Sequence, residues 1–164
     1  MNARIRHVEI RQEARFVLWA LRCAVARLRG DPAIEQEIER GFEIADVTET
    51  AVEFWALADA LYAAAWSHAV WHDPRCCCAS SEELLVLQAL AEVAERLRNG
   101  QPEPARRWRV ILPAASVEAV DASARAWLEV LDRAGVVFPS MGELIDSLGP
   151  LQNIARPAGA VRLN

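Results

Sequence analysis

The sequence contains no lysine: all 18 of its basic residues are arginine. A Schiff-base lysine and a lysine general base are therefore excluded, because the amino terminus is the one primary amine left. Histidine is almost as scarce, with His7, His68 and His72 making up the set. Glycine (7) and proline (8) are few among 164 residues, which is not the composition of a disordered chain. No glycine-rich phosphate loop, dinucleotide fingerprint, Gly-x-Ser-x-Gly elbow or His-Glu-x-x-His occurs. A pair of Glu-x-x-His segments, which a bundle di-iron site requires, is missing too. Enzymatic activity thus has no sequence signature. The opening Met-Asn-Ala-Arg-Ile-Arg-His has no apolar core before a small-residue cleavage site, so no secretory signal is expected. Three of the four cysteines are consecutive (Cys76, Cys77, Cys78, with Cys23 apart), a poor disulfide framework because neighbours bridge only in a strained ring. A reducing cytoplasm is the expected setting.

What is present is apolar and helical. Hydrophobic residues are 53% of the chain, and the net charge is -5, which favours solubility and gives no attraction to nucleic acid or anionic lipid. The length fits one domain, with 1–150 read as a single helical domain and 151–164 as an irregular tail. The apolar and polar spacing predicts a first helix over Arg4 to Arg29, stopped by Gly30-Asp31-Pro32. A second, acidic helix runs from Ala33 to about Asp46, capped by Asp31, with Gly41 as a point of bending. A long apolar helix runs from about Thr50 to His72 and stops before Pro74. Within it, Ala51 to Trp71 is about long enough to cross a bilayer. It carries Glu53, Asp59 and His68 without a basic flank, so it reads as a buried bundle helix and no membrane is expected. Arg75 to Ala79 is a loop. Ser80-Ser-Glu-Glu83 is a capping box for a helix closed by Asn99-Gly100. Trp108 to Leu112 reads as a short extended segment. Ser116 caps a helix to about Ala134, Val136 to Pro139 is extended, and Ser140 to Glu143 caps a last short helix. The expected fold is all-α: a single-domain helical bundle of five to six helices around a central apolar helix.

Residues 66 to 78 depart most from generic helical packing. On a continuous helix, His68 and His72 lie one turn apart on one face. With Cys76 and Cys78 they make a His2Cys2 set suited to zinc, or to iron. In extended chain Cys76 and Cys78 project to one side and Cys77 to the other. Cys76, Cys77 and Cys78 also suit thiol redox chemistry, with Arg75 and a helix start beside them. Against both stands a packing role: His68 in the bundle, His72 at a helix C-terminus and the cysteines as small apolar plugs.

Trp55, Asp59, Tyr62 and Trp66 share one helix face, as a ligand or partner stripe or as an aspartate satisfied by its aromatic neighbours. Arg4, Arg11, Arg15, Arg22 and Arg29 fall in a narrow arc of the first helix. Residues 31 to 53 hold Asp31, Glu35, Glu37, Glu39, Glu43, Asp46, Glu49 and Glu53 against one Arg40, so ion pairing with that segment is the simplest use of the arc, and nucleic acid is disfavoured. Arg106-Arg107-Trp108-Arg109 is a second basic patch, with Trp108 read as a core anchor. The leading expectation is a non-enzymatic intracellular protein-interaction or regulatory module, with a protein partner or self-association. A metal-binding or thiol-responsive protein is the alternative, and an enzyme built on Asp59 and the tryptophans comes third.

Overall fold

A computed structural model describes residues 5–6, 10–64 and 69–148. It is all-α, with helices α1 (Gln12–Leu28), α2 (Ile34–Ile44), α3 (Ala51–Ala63), α4 (Ser81–Arg98), α5 (Trp108–Ile111), α6 (Val117–Arg133) and α7 (Met141–Leu148). The two-residue segments β1 (Ile5–Arg6) and β2 (Cys78–Ala79) pair antiparallel. Among the described residues, no helix is long and apolar enough to cross a membrane.

The bundle forms around α3, which packs most extensively on α6 and also meets α1. Phe54, Leu57, Ala58 and Leu61 are the buried positions of α3, at helical spacing. They meet Val120, Ala124, Trp127, Leu128 and Leu131 of α6 within one hydrophobic core. A chain of rings crosses it: Phe16 to Phe42 at 5.5 Å, Phe42 to Phe54 at 5.1 Å and Phe54 to Trp127 at 5.1 Å between centroids. Each such side chain contributes about 1.5–3 kcal/mol by burial. The indole N–H of Trp127 donates to Thr50 Oγ at 3.3 Å, so its one polar atom is satisfied in the interior.

Several boundaries differ from the sequence reading. The first helix begins at Gln12, not Arg4, because Ile5 and Arg6 are taken up by strand pairing with Ala79 and Cys78. The central helix ends at Ala63 rather than His72. Beyond it, tertiary bonds hold the backbone out of helix: Ser80 Oγ donates to the Val70 carbonyl at 2.7 Å, and the His72 N–H donates to Glu83 at 2.9 Å. Trp108–Ile111 is a helical turn, not an extended segment. The Glu92 carboxylate accepts the N–H groups of Arg106 (2.9 Å) and Arg107 (3.1 Å), acting as a cap supplied by another helix.

Helix α2 starts at Ile34, with Asp31 Oδ1 accepting the Ala33 N–H at 3.1 Å just outside it. Gly41 does not break this helix. It makes room for Trp19, whose Cη2 lies 2.1 Å from where a Cβ at position 41 would stand. The capping box of α4 is formed as expected, and Ser140 and Glu143 make the same reciprocal pair at α7. Gly100 and Gly135, just past α4 and α6, take positive φ (63° and 87°), the left-handed turn that suits glycine there.

Candidate functional site

The most organised polar centre lies between α1, α4 and the segment that joins α3 to α4. Arg22 is 1% exposed. It stands four residues after Leu18 and eight after Ala14, on the apolar face of α1. Its guanidinium meets Glu83, also fully buried, side by side: Nε to Oε1 at 2.7 Å and Nη2 to Oε2 at 2.8 Å. The remaining donors reach backbone, with Nη1 to the Cys76 carbonyl at 3.0 Å and Nη2 to the Cys78 carbonyl. Glu83 in turn accepts the N–H of His72 (2.9 Å) and of Ser80 (2.7 Å). One ion pair thus fixes residues 72, 76, 78 and 80.

Burial pushes the Glu83 carboxyl up, but hydrogen bonds from Arg22, Ser80 and His72, together with the Arg22 charge, outweigh it and hold the group below the usual carboxylate range. A buried Arg–Glu pair adds little net stability compared with apolar side chains of the same volume, because desolvating two charges offsets their attraction. The observable product of this pair is the shape of a loop.

The sequence-derived candidates fall around this centre as follows. His68 and Trp66 lie outside the described residues. His72 is in the loop, not on α3, and its relation to His68 falls outside the described residues. Its Nδ1 lies 3.1 Å from Glu83 Oε2. An ionised carboxylate only accepts, so Nδ1–H is the donor in this contact.

The three cysteines do not lie in continuously extended chain. Cys77 sits at a bend, and its sulfur meets that of Cys78 at 3.7 Å. Cys77 is exposed, while Cys76 and Cys78 are half-buried. Cys23 is the one that plugs the core, and burial above all, with Glu37 and Asp73 nearby, pushes its thiol up to about 12. Among the described residues, no group of three or more His, Cys, Asp or Glu side chains is arranged to hold a metal ion.

The aromatic stripe of α3 takes a different form. Asp59 is exposed, and Trp55 is half-buried under the Arg27 guanidinium, 5.8 Å from its ring centre. Tyr62 borders a cavity of about 10 Å3 shared with Leu21, Ala58, Leu61 and Trp71, room for a single water at most.

The arginine arc is likewise divided. Arg4 lies outside the described residues and Arg29 is exposed. Arg11 pairs with Glu13 and Glu143, and Arg22 with Glu83, so neither serves the acidic segment. That segment is met instead by Arg27 on Glu35 and Arg75 on Glu37. In the second basic patch, Trp108 is buried as a core anchor and Arg107 donates to Gln88 at 3.1 Å.

Sequence reasoning missed Arg22–Glu83 as a unit. The available signal was an arginine on the apolar face of α1. A second polar anchor of the same kind was missed as well: buried Asp121 accepts the Ala105 N–H at 2.8 Å and pairs with Arg125 at 2.6 Å. Arg125 then donates to the carbonyls of Gln101 (2.9 Å) and Glu103 (2.7 Å).

The corner between α2 and α3 is of another character. Ile44 and Val52 are each 77% exposed there. Glu39, Glu43, Asp46 and Glu49 of the same stretch are exposed, as is Arg40, and no ion pair of these four carboxylates occurs among the described residues. No family model matches this chain, nor does any curated protein or solved structure.

Proposed function

We propose that this protein is a non-enzymatic interaction or regulatory module that docks a basic, amphipathic protein segment on the corner between α2 and α3. The observation that carries this reading is that two aliphatic side chains, Ile44 and Val52, stand exposed in a stretch whose exposed Glu39, Glu43, Asp46 and Glu49 outnumber its one arginine, Arg40. Apolar anchors inside a charged rim are how protein interfaces are built, and a rim of one sign selects a partner of the other. The reading places the protein in the cytoplasm, where its four free cysteines stay reduced.

The test is fluorescence anisotropy with a labelled amphipathic Arg/Leu peptide and a scrambled peptide of equal charge. The expected result is at least about tenfold tighter binding of the amphipathic peptide, lost in Ile44→Asp, since about 1.4 kcal/mol of apolar contact corresponds to that factor. Equal binding of both peptides, or binding indifferent to Ile44→Asp, overturns the reading. A sedimenting dimer that Ile44→Asp dissociates assigns the corner to a second copy of the chain instead.

A second reading, a metal-binding or thiol-responsive protein, is favoured by the 3.7 Å approach of the Cys77 and Cys78 sulfurs and by a His72 ring oriented through Nδ1 on a carboxylate. Zinc and iron are the metals this donor chemistry suits. Elemental analysis of untagged, reduced protein checks it, and a metal-free chain whose thiols ignore oxidants contradicts it.

A further inference from the structure

We propose that the thiols of Cys77 and Cys78 together form a two-sulfur site for a soft, thiophilic cation, copper(I) being the biological example. The proposal rests on the second reading above and gives it a ligand class. Thiolate is the protein ligand that soft cations prefer. The two sulfurs already stand 3.7 Å apart, within reach of one ion after small side-chain rotations.

The backbone beneath them is held in place. The Arg22 guanidinium grips the carbonyls of Cys76 and Cys78, the residues on either side of Cys77. Cys78 is also paired in register with Arg6 across the short antiparallel ladder. Because the loop is ordered in advance, a bound ion does not have to supply that ordering. Cys77 at the bend is exposed, which gives the ion a way in. Binding exchanges protons for the metal: two thiols and one copper(I) give a copper bis-thiolate, and two protons pass to water. No electron is transferred.

The site differs from a structural zinc centre, which takes four ligands and closes around the metal. Two sulfurs are a complete donor set for copper(I), whereas they are half of one for zinc.

The experiment is an anaerobic titration of the full chain with copper(I), in competition with a chromophoric copper(I) chelator, on the wild type and on Cys76→Ser, Cys77→Ser and Cys78→Ser. The expected result is one copper(I) per wild-type chain. Cys77→Ser and Cys78→Ser should each weaken binding by about 100-fold or more, the gain that two tied binding groups ordinarily give over one, while Cys76→Ser keeps wild-type affinity. Thermal melts of the three variants, compared before titration, separate lost binding from lost folding. One copper(I) bound equally well by Cys77→Ser or Cys78→Ser overturns the two-sulfur site but leaves a metal-binding role standing on other donors. No binding by the wild type beyond that of the chelator overturns the two-sulfur site, while the second reading is overturned by the metal-free chain whose thiols ignore oxidants.

Discussion

The loop from His72 to Ser80 and the corner from Ile44 to Val52 are both connections between helices, and they are built in opposite ways. The loop is tied from outside by a buried ion pair, with Arg22 holding two of its carbonyls and Glu83 two of its N–H groups. The corner is tied from within. Local backbone bonds such as Val47 N–H to the Phe42 carbonyl (2.9 Å) and Thr50 N–H to the Val47 carbonyl (2.9 Å) close it, and buried Val47 and Thr50 anchor it. The loop therefore commits its charges to its own conformation, while the corner keeps its charges and two aliphatic side chains at the surface. A connection whose polar groups are consumed internally presents a fixed shape. One that is closed chiefly by its own backbone bonds presents side chains to a partner.

Breaking the pair should have the largest effect. Arg22→Met leaves the Glu83 carboxylate buried and unpaired and should cost about 3–5 kcal/mol in urea unfolding. The double variant Arg22→Met/Glu83→Leu should recover most of that loss, because no charge is then left buried without a partner. A double variant as unstable as the single would contradict the view that the pair serves conformation more than stability.

The same pair sets the acid limb. Glu83 has a folded-state pKa below its unfolded value of about 4.5, so its contribution is fully present above that pH and is lost as pH falls through the lower, folded value. Denaturant midpoints measured across that acid range should fall for the wild type and fall less steeply for Glu83→Gln. At the other end, Cys23 has a raised pKa, so its contribution holds below about 9 and declines as pH rises toward about 12. A thiol reagent should accordingly modify Cys77 in the native protein and reach Cys23 only on unfolding.

A smaller effect is expected at Gly41→Ala. The new methyl forces Trp19 to move, an overpacking cost of about 1–3 kcal/mol, partly offset by the roughly 1 kcal/mol that alanine gains over glycine in a helix. Calorimetry showing a clear rise in melting temperature would mean Trp19 repacks freely. The smallest effect on stability belongs to the corner: Ile44→Asp and Val52→Asp should each change unfolding free energy by no more than about 0.5 kcal/mol, as exposed positions do. A larger loss would show that these side chains support the fold and are not held for a partner.

Much of the bundle was legible in the sequence because helix signals are local. Ser80 with Glu83, and Ser140 with Glu143, mark two helix starts within four residues each, and the structure places both there. The features that were not legible depend on residues far apart in the chain. Glu83 reads fully as a capping residue, and nothing near it announces Arg22, 61 positions away. The central helix looks continuous to Pro74 by its own composition. It stops at Ala63, with Val70 and His72 beyond it bonded to Ser80 and Glu83 of the following helix start. The same long-range capture puts Cys77 at a bend clamped on both sides, where the rule for extended chain does not apply. Gly41 reads as a weak point in α2 until Trp19 is seen filling the space beside it.

The claim at the centre of this account is that the Arg22–Glu83 pair specifies the loop. Amide hydrogen exchange on the Arg22→Met/Glu83→Leu variant tests it most directly. The account predicts that the amides of His72 and Ser80, which donate to Glu83, lose protection while those of α3 and α6 keep theirs. Protection retained at His72 and Ser80, or lost uniformly across the bundle, would contradict it.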